Sequence, residues 1–149
     1  MPNWCDNRLR IFGPPDEIEK FQRQATGHAP WLSEHERQTT APSPLNFHRL
    51  LPVPAEVLAQ HNGDVLEKWQ VANWGTKWEA DETELVDEWD TGVCYGFNTA
   101  WSPPIALLKS IGPNWPTLKF LLHYEELGCA FVGVCKVEDA TCEDHCLNI

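Results

Sequence analysis

The sequence predicts an α+β fold, an antiparallel sheet with helices packed on one face. Three observations predict it. Several short stretches alternate apolar and polar residues, as half-buried strands do. Between them lie stretches whose apolar residues fall three or four apart, as on amphipathic helices. Twelve prolines and nine glycines keep each element short. The 149 residues suit one domain, residues 1–149, and 42% hydrophobic residues supply its core.

Asn7 to Phe12 alternates and then meets Gly13-Pro14-Pro15, which reads as a first strand and its stop. A helix follows from about Pro15 to Ala25. Proline is tolerated at its first turn, Asp16 and Glu17 suit its positive end, and Ile18 and Phe21 share a face. Residues 26–54 hold Gly27, Pro30, Pro42, Pro44, Pro52 and Pro54 with little periodicity, and are expected to form an irregular excursion. A second helix is expected from about Asp64 to Ala72, capped by Asp64 and ended by Gly75.

Val93 to Trp101 is the clearest strand, with its odd positions pointing one way. Ser102-Pro103-Pro104 reads as a cap and first turn, followed by Ile105, Leu108 and Ile111 at helical spacing until Gly112-Pro113. Leu118, Phe120, Leu122 and Tyr124 alternate in a further strand. A turn is expected over Glu125 to Gly128, and Ala130 to Val137 returns as the last strand. Strands mixed with helices in this order suggest a ferredoxin-like sandwich, in which each strand needs only one apolar stripe.

Charge narrows the function. Residues 1–50 carry six bases and six acids, whereas residues 51–149 carry five bases and sixteen acids, giving the whole net charge of −11. Seven acids fall between Glu79 and Asp90 with no base among them. Such a surface repels phosphate backbones, which argues against direct binding to duplex DNA. The block is expected to be a solvated strand or loop. No stretch approaches the ~20 apolar residues of a membrane span. The start, Met1-Pro2-Asn3-Trp4-Cys5-Asp6, lacks the basic and apolar runs of a signal peptide, so a cytoplasmic location with reduced cysteines is expected.

Three segments carry a resemblance: MPNWCDN at the start, NWGTKWEA at 73–80 and FNTAWSPP at 97–104. LKFLLHYEELGCAFVG at 118–133 is a weaker fourth. Together they resemble the YubB-type ferredoxin-like family of uncharacterised phage, prophage and plasmid proteins. The resemblance implies a ferredoxin-like fold and a mobile-element setting. It implies no reaction, and the fold name brings no iron–sulfur cluster with it.

Eight tryptophans in 149 residues make the Trp-centred residues the first candidate site. They are Asn3, Trp4, Asn73, Trp74, Thr76 and Lys77, with Trp78, Thr99, Trp101, Tyr124 and Glu125. Two readings stand side by side. In one, the rings share a core and Asn and Thr satisfy their N–H groups. In the other, they wall a groove in which Lys77 and Glu125 anchor a ligand, and Lys77 is the only base between Lys68 and Lys109. Cys142, His145 and Cys146, if on one helical turn, offer three ligands to a structural zinc, but a fourth is not evident and no cofactor is expected. The phosphate-binding Gly loop, nucleophile elbow and H-E-x-x-H signatures do not occur.

These features favour a non-enzymatic accessory module that binds a host or mobile-element protein, or a small ligand, through a Trp-rich surface. One alternative is a small enzyme or binder acting on a nucleotide-like anionic metabolite held by Lys77. Another is an acidic mimic of nucleic acid that engages a basic host protein.

Overall fold

Alternation along the first strand settles the whole architecture. In the computed structural model, which describes residues 2–149, β1 spans Trp4–Phe12, and Cys5, Asn7, Leu9 and Ile11 are buried on one side while Trp4, Asp6 and Arg8 are exposed on the other. Two neighbours pair with it antiparallel, β3 (Gly92–Ala100) and β4 (Lys119–Glu126). The edges extend through β2 (Lys77–Trp89) on one side and β5 (Phe131–Glu138) and β6 (Thr141–Asn148) on the other. The six-stranded sheet has the order β2-β3-β1-β4-β5-β6.

Helices cover the buried side. These are α1 (Pro15–Ala25), α2 (Glu34–Thr39), α3 (Phe47–Leu50), α4 (Ala55–Leu58), α5 (Gly63–Trp74) and α6 (Ile105–Ile111), which runs into a 3₁₀ turn at Gly112–Asn114. Ile18 and Phe21 of α1, Trp74 of α5 and Leu108 and Ile111 of α6 meet Leu9, Tyr95, Phe97 and Phe120 of the sheet in one core. Burying each large apolar side chain contributes roughly 1.5–3 kcal/mol. The register places Val93, Tyr95, Phe97 and Thr99 on this covered face, opposite Ile11, Leu9, Asn7 and Cys5.

The strand–helix order and the helices on one face match the fold expected from the sequence. Several local expectations give way. The excursion is not irregular throughout: it carries α2 and α3, and Gly27 and Ser43 pair as an isolated bridge. Glu79 holds it in place. Its carboxylate accepts the backbone N–H groups of Phe47 at 2.6 Å and His48 at 3.0 Å. Burial pushes that carboxyl up to about 7, against those same N–H donors and that of Ala80.

Helix α5 is capped by Asn62 rather than Asp64, because Asn62 Oδ1 accepts from the N–H groups of both Asp64 and Val65. It ends at Gly75 as expected, in the left-handed conformation (φ 87°) that glycine adopts freely. Ser102 does not cap α6: its hydroxyl donates to Gly75 O at 2.6 Å, and the helix begins three residues later. Strand β3 stops at Ala100, so Trp101 leaves the alternation. Strand β4 runs through Glu125 and Glu126, and the Glu126 carboxylate accepts from Gly128 N and Cys129 N to hold the turn. Finally, β6 makes residues 141–148 an edge strand where a tail follows the last expected strand.

Candidate functional site

The Trp-centred residues separate into two groups with different surroundings. Trp74 is fully buried, donates its indole N–H to Leu51 O at 3.0 Å and packs edge-on against Phe47 and Trp69. Thr76 donates to Ala100 O at 2.8 Å, and Thr99 accepts from Asn7 Nδ2 at 2.8 Å and donates to Ser102 O at 2.7 Å. Asn73 donates to Trp69 O at 2.8 Å. Tyr124 is buried and donates to Asp144 Oδ1 at 2.7 Å; burial, then that carboxylate, pushes its phenol well up. Its ring lies over Gly133, where any Cβ would collide with it. Each of these five finds a hydrogen-bond partner elsewhere in the fold.

Trp4, Trp78 and Trp101 are outside, at 36%, 37% and 44% exposure. Trp4 and Trp78 pack at 6.3 Å between ring centres, and Lys77 Nζ lies 4.3 Å from the centre of the Trp78 ring. Trp78 and Trp101 both hold left-handed backbone, φ 68° and 70°, which costs a bulky residue roughly 1–2 kcal/mol each. The register shift between Lys77 and Asp81 accommodates Trp78, whose N–H is received by Gln70 Oε1 at 2.8 Å. Trp101 N–H donates to Asn3 O at 2.9 Å. Asn3 is half-buried, and its side-chain amide lies 3.5 Å from Cys129 Sγ.

The shared aromatic recess therefore does not form. Lys77 alone of the set borders a recess of about 450 Å³, beside Glu67, Lys68 and Val71 of α5. Glu125 lies elsewhere, in a second and wider concavity.

That concavity, of about 830 Å³, lies on the sheet face that the helices leave open. The register builds it as parallel rows across the strands. Arg8, His123, Val134 and His145 form one row through β1, β4, β5 and β6. Asp6, Glu125, Val132 and Leu147 form the next. Arg10 follows Arg8 along β1, and its guanidinium lies 3.4 Å from His123 Nδ1.

The ion pairs among the described residues, Lys20–Glu17 and Arg23–Glu19, both lie on α1, so neither groove arginine is neutralised by one. A chain of net charge −11 thus holds two unpaired guanidinium groups and two imidazoles over a floor of Val132, Val134 and Leu147. Sequence reasoning missed Arg8, Arg10, His123 and His145. Their signal was the polar half of each strand's alternation, which does not say which face the helices leave bare.

The zinc candidate loses its geometry. Cys142, His145 and Cys146 lie on a strand, so the two thiols share the covered face roughly 13 Å apart and His145 points to the other. Among the described residues no group of three or more His, Cys, Asp or Glu is placed to hold a metal ion. Cys135 and Cys142 do approach, at 3.9 Å between sulfurs. Burial pushes Cys5 and Cys135 up to about 12, so neither is a ready thiolate. The acidic block forms β2, an exposed edge strand with three register shifts. No helix among the described residues is long and apolar enough to cross a membrane.

Strand order, antiparallel register and helices on one face define an α+β protein of the ferredoxin-like class. Residues 73–148 match the family described as the ferredoxin-like domain in Api92-like protein, and the chain belongs to that family. The crystal structure of protein Api92 from Yersinia pseudotuberculosis is similar over 97% of this chain and 98% of that one, with a TM-score of 0.74 at 9% identity. Likeness at that identity concerns the fold alone. No curated protein matches the chain.

Proposed function

We propose that the chain is a non-enzymatic binding module that takes a small anionic ligand with an apolar body on the open face of its sheet. One observation carries the reading: Arg8 and Arg10 stand unpaired over an apolar floor in a strongly acidic chain. Unpaired guanidinium groups are suited to planar oxyanions, and a concavity of this size suits a small molecule. Among the described residues that line the groove there is no Ser, Thr or Cys to serve as a nucleophile beside either histidine, which favours binding over catalysis. The resemblance of the Trp-containing segments to phage, prophage and plasmid proteins supports service to a mobile genetic element.

Phenyl phosphate tests the reading directly, with benzyl alcohol as its uncharged counterpart. Calorimetric titration is expected to detect phenyl phosphate and not benzyl alcohol. The double variant R8Q/R10Q is expected to weaken it by about tenfold or more, since charge-assisted bonds contribute roughly 1.5–3 kcal/mol. Equal binding of the two probes, or indifference to the double variant, would remove the proposal.

A further inference from the structure

We infer that the ligand of the open face is a nucleoside 5′-monophosphate lying lengthwise along β1. The inference rests on the open face being the binding surface and names the ligand class. Four side chains of β1 project from that face in succession: Arg10, Arg8, Asp6 and Trp4. Each is separated from the next by roughly 6.8 Å, two residues of an antiparallel strand. Read in order they are two cations, a carboxylate and an aromatic ring. A nucleotide presents the complementary order of phosphate, hydroxyl-bearing ribose and flat base.

Each contact has its own physical reason. Arg8 and Arg10, with His123 beside them, offer donors to a phosphate. Asp6 faces Glu125 directly across the β1–β4 ladder. Like charges placed so are unfavourable, and neither carboxylate is in an ion pair among the described residues. Two acceptors at that point suit the two hydroxyls of a ribose, as carboxylates do in other nucleotide sites. Trp4, over a third exposed and already packed on Trp78, presents an aromatic surface on which any base stacks.

The surrounding charge selects a free monophosphate over a polymer. Beyond Gly96 and Cys94 of β3, the same rows reach Glu84 and Asp87 of β2, and beyond Lys136 of β5 they reach Glu143 of β6. The basic island is fenced by acids on both sides. A strand of nucleic acid entering or leaving it would carry its next phosphates onto those carboxylates, which repel them.

Adenosine 5′-monophosphate is the probe, titrated calorimetrically into the wild-type chain beside adenosine, ribose 5-phosphate, the 2′,3′-dideoxy monophosphate and a twelve-residue oligoadenylate. The monophosphate is expected to bind, and removal of its phosphate, its base or both hydroxyls is expected to weaken it by about tenfold each. R8Q/R10Q is expected to erase the advantage over adenosine, D6N the advantage over the dideoxy form, and Trp4→Leu the advantage over ribose 5-phosphate.

Adenosine binding as well as its monophosphate would overturn the inference, as would variants that leave these ratios unchanged. Oligoadenylate binding more than tenfold tighter would overturn the choice of a free nucleotide. If phenyl phosphate binds through Arg8 and Arg10 while the nucleotide does not, the nucleotide fails and the binding module stands. If neither binds, both fail.

Discussion

The two faces of the sheet obey different rules, and β1 shows the contrast within nine residues. On the covered face its polar residue, Asn7, is fully buried and finds two partners, Cys5 O at 3.0 Å and Thr99 Oγ1 at 2.8 Å. On the open face Asp6, Arg8 and Arg10 have no ion pairs, although Asp6 and Arg8 lie two positions apart on the same strand. Burial makes an unsatisfied polar group cost roughly 1–3 kcal/mol, and Asn7 meets that demand within the fold. Solvent removes that pressure from the open face, which is free to hold charges suited to something other than the fold.

The largest effect expected from breaking the contrast is at the tryptophans. Trp74→Ala should destabilise the chain by about 3–5 kcal/mol, through a cavity and the lost bond to Leu51 O, whereas Trp4→Ala should change it by under about 1 kcal/mol. Urea unfolding of the two variants reads the difference. Equal losses would mean that Trp4 is part of the core.

Glu79 gives the next effect, as a buried acid on the covered side. Its carboxyl is pushed up to about 7 in the folded chain, above its ordinary value of 4.5. The folded state therefore holds the proton more tightly than the unfolded one. The associated stability is complete below about 4.5 and is lost as pH rises through about 7, by roughly 3 kcal/mol. Denaturation across that window should show wild-type stability falling with pH more steeply than that of Glu79→Gln, which cannot titrate. Parallel curves would mean that Glu79 is not buried as described.

The smallest effect compares neighbours on β1. Asn7→Ala should cost about 1–3 kcal/mol by stranding Cys5 O, whereas Asp6→Ala should be neutral or slightly stabilising because it removes the charge facing Glu125. Thermal unfolding of the pair in low salt measures this, and a reversed order would sink the assignment of faces.

The covered face was legible in the sequence. Leu118, Phe120, Leu122 and Tyr124 alternate, Ile18 and Phe21 keep helical spacing, and these patterns arise because burial selects them. The open face was not legible, since Arg8, Arg10, His123 and His145 look like ordinary polar positions until the register brings four strands together. The Trp-containing segments misled for a related reason. In NWGTKWEA a helix end buries Trp74, and the left-handed turn at Trp78 then leaves the second ring outside. Spacing alone does not reveal that reversal. Cys142, His145 and Cys146 suggested a helical turn because that stretch has weak apolar alternation, while its strand is dictated by pairing with β5 across eight residues.

If the open face is the working surface, amide chemical shifts recorded during titration with adenosine 5′-monophosphate will locate the ligand there. Shifts are expected to concentrate at residues 4–10 of β1, 121–125 of β4, 132–134 of β5 and 145–147 of β6, and to be absent in R8Q/R10Q. Shifts centred on α5 and α6, or shifts that persist unchanged in the double variant, would contradict it.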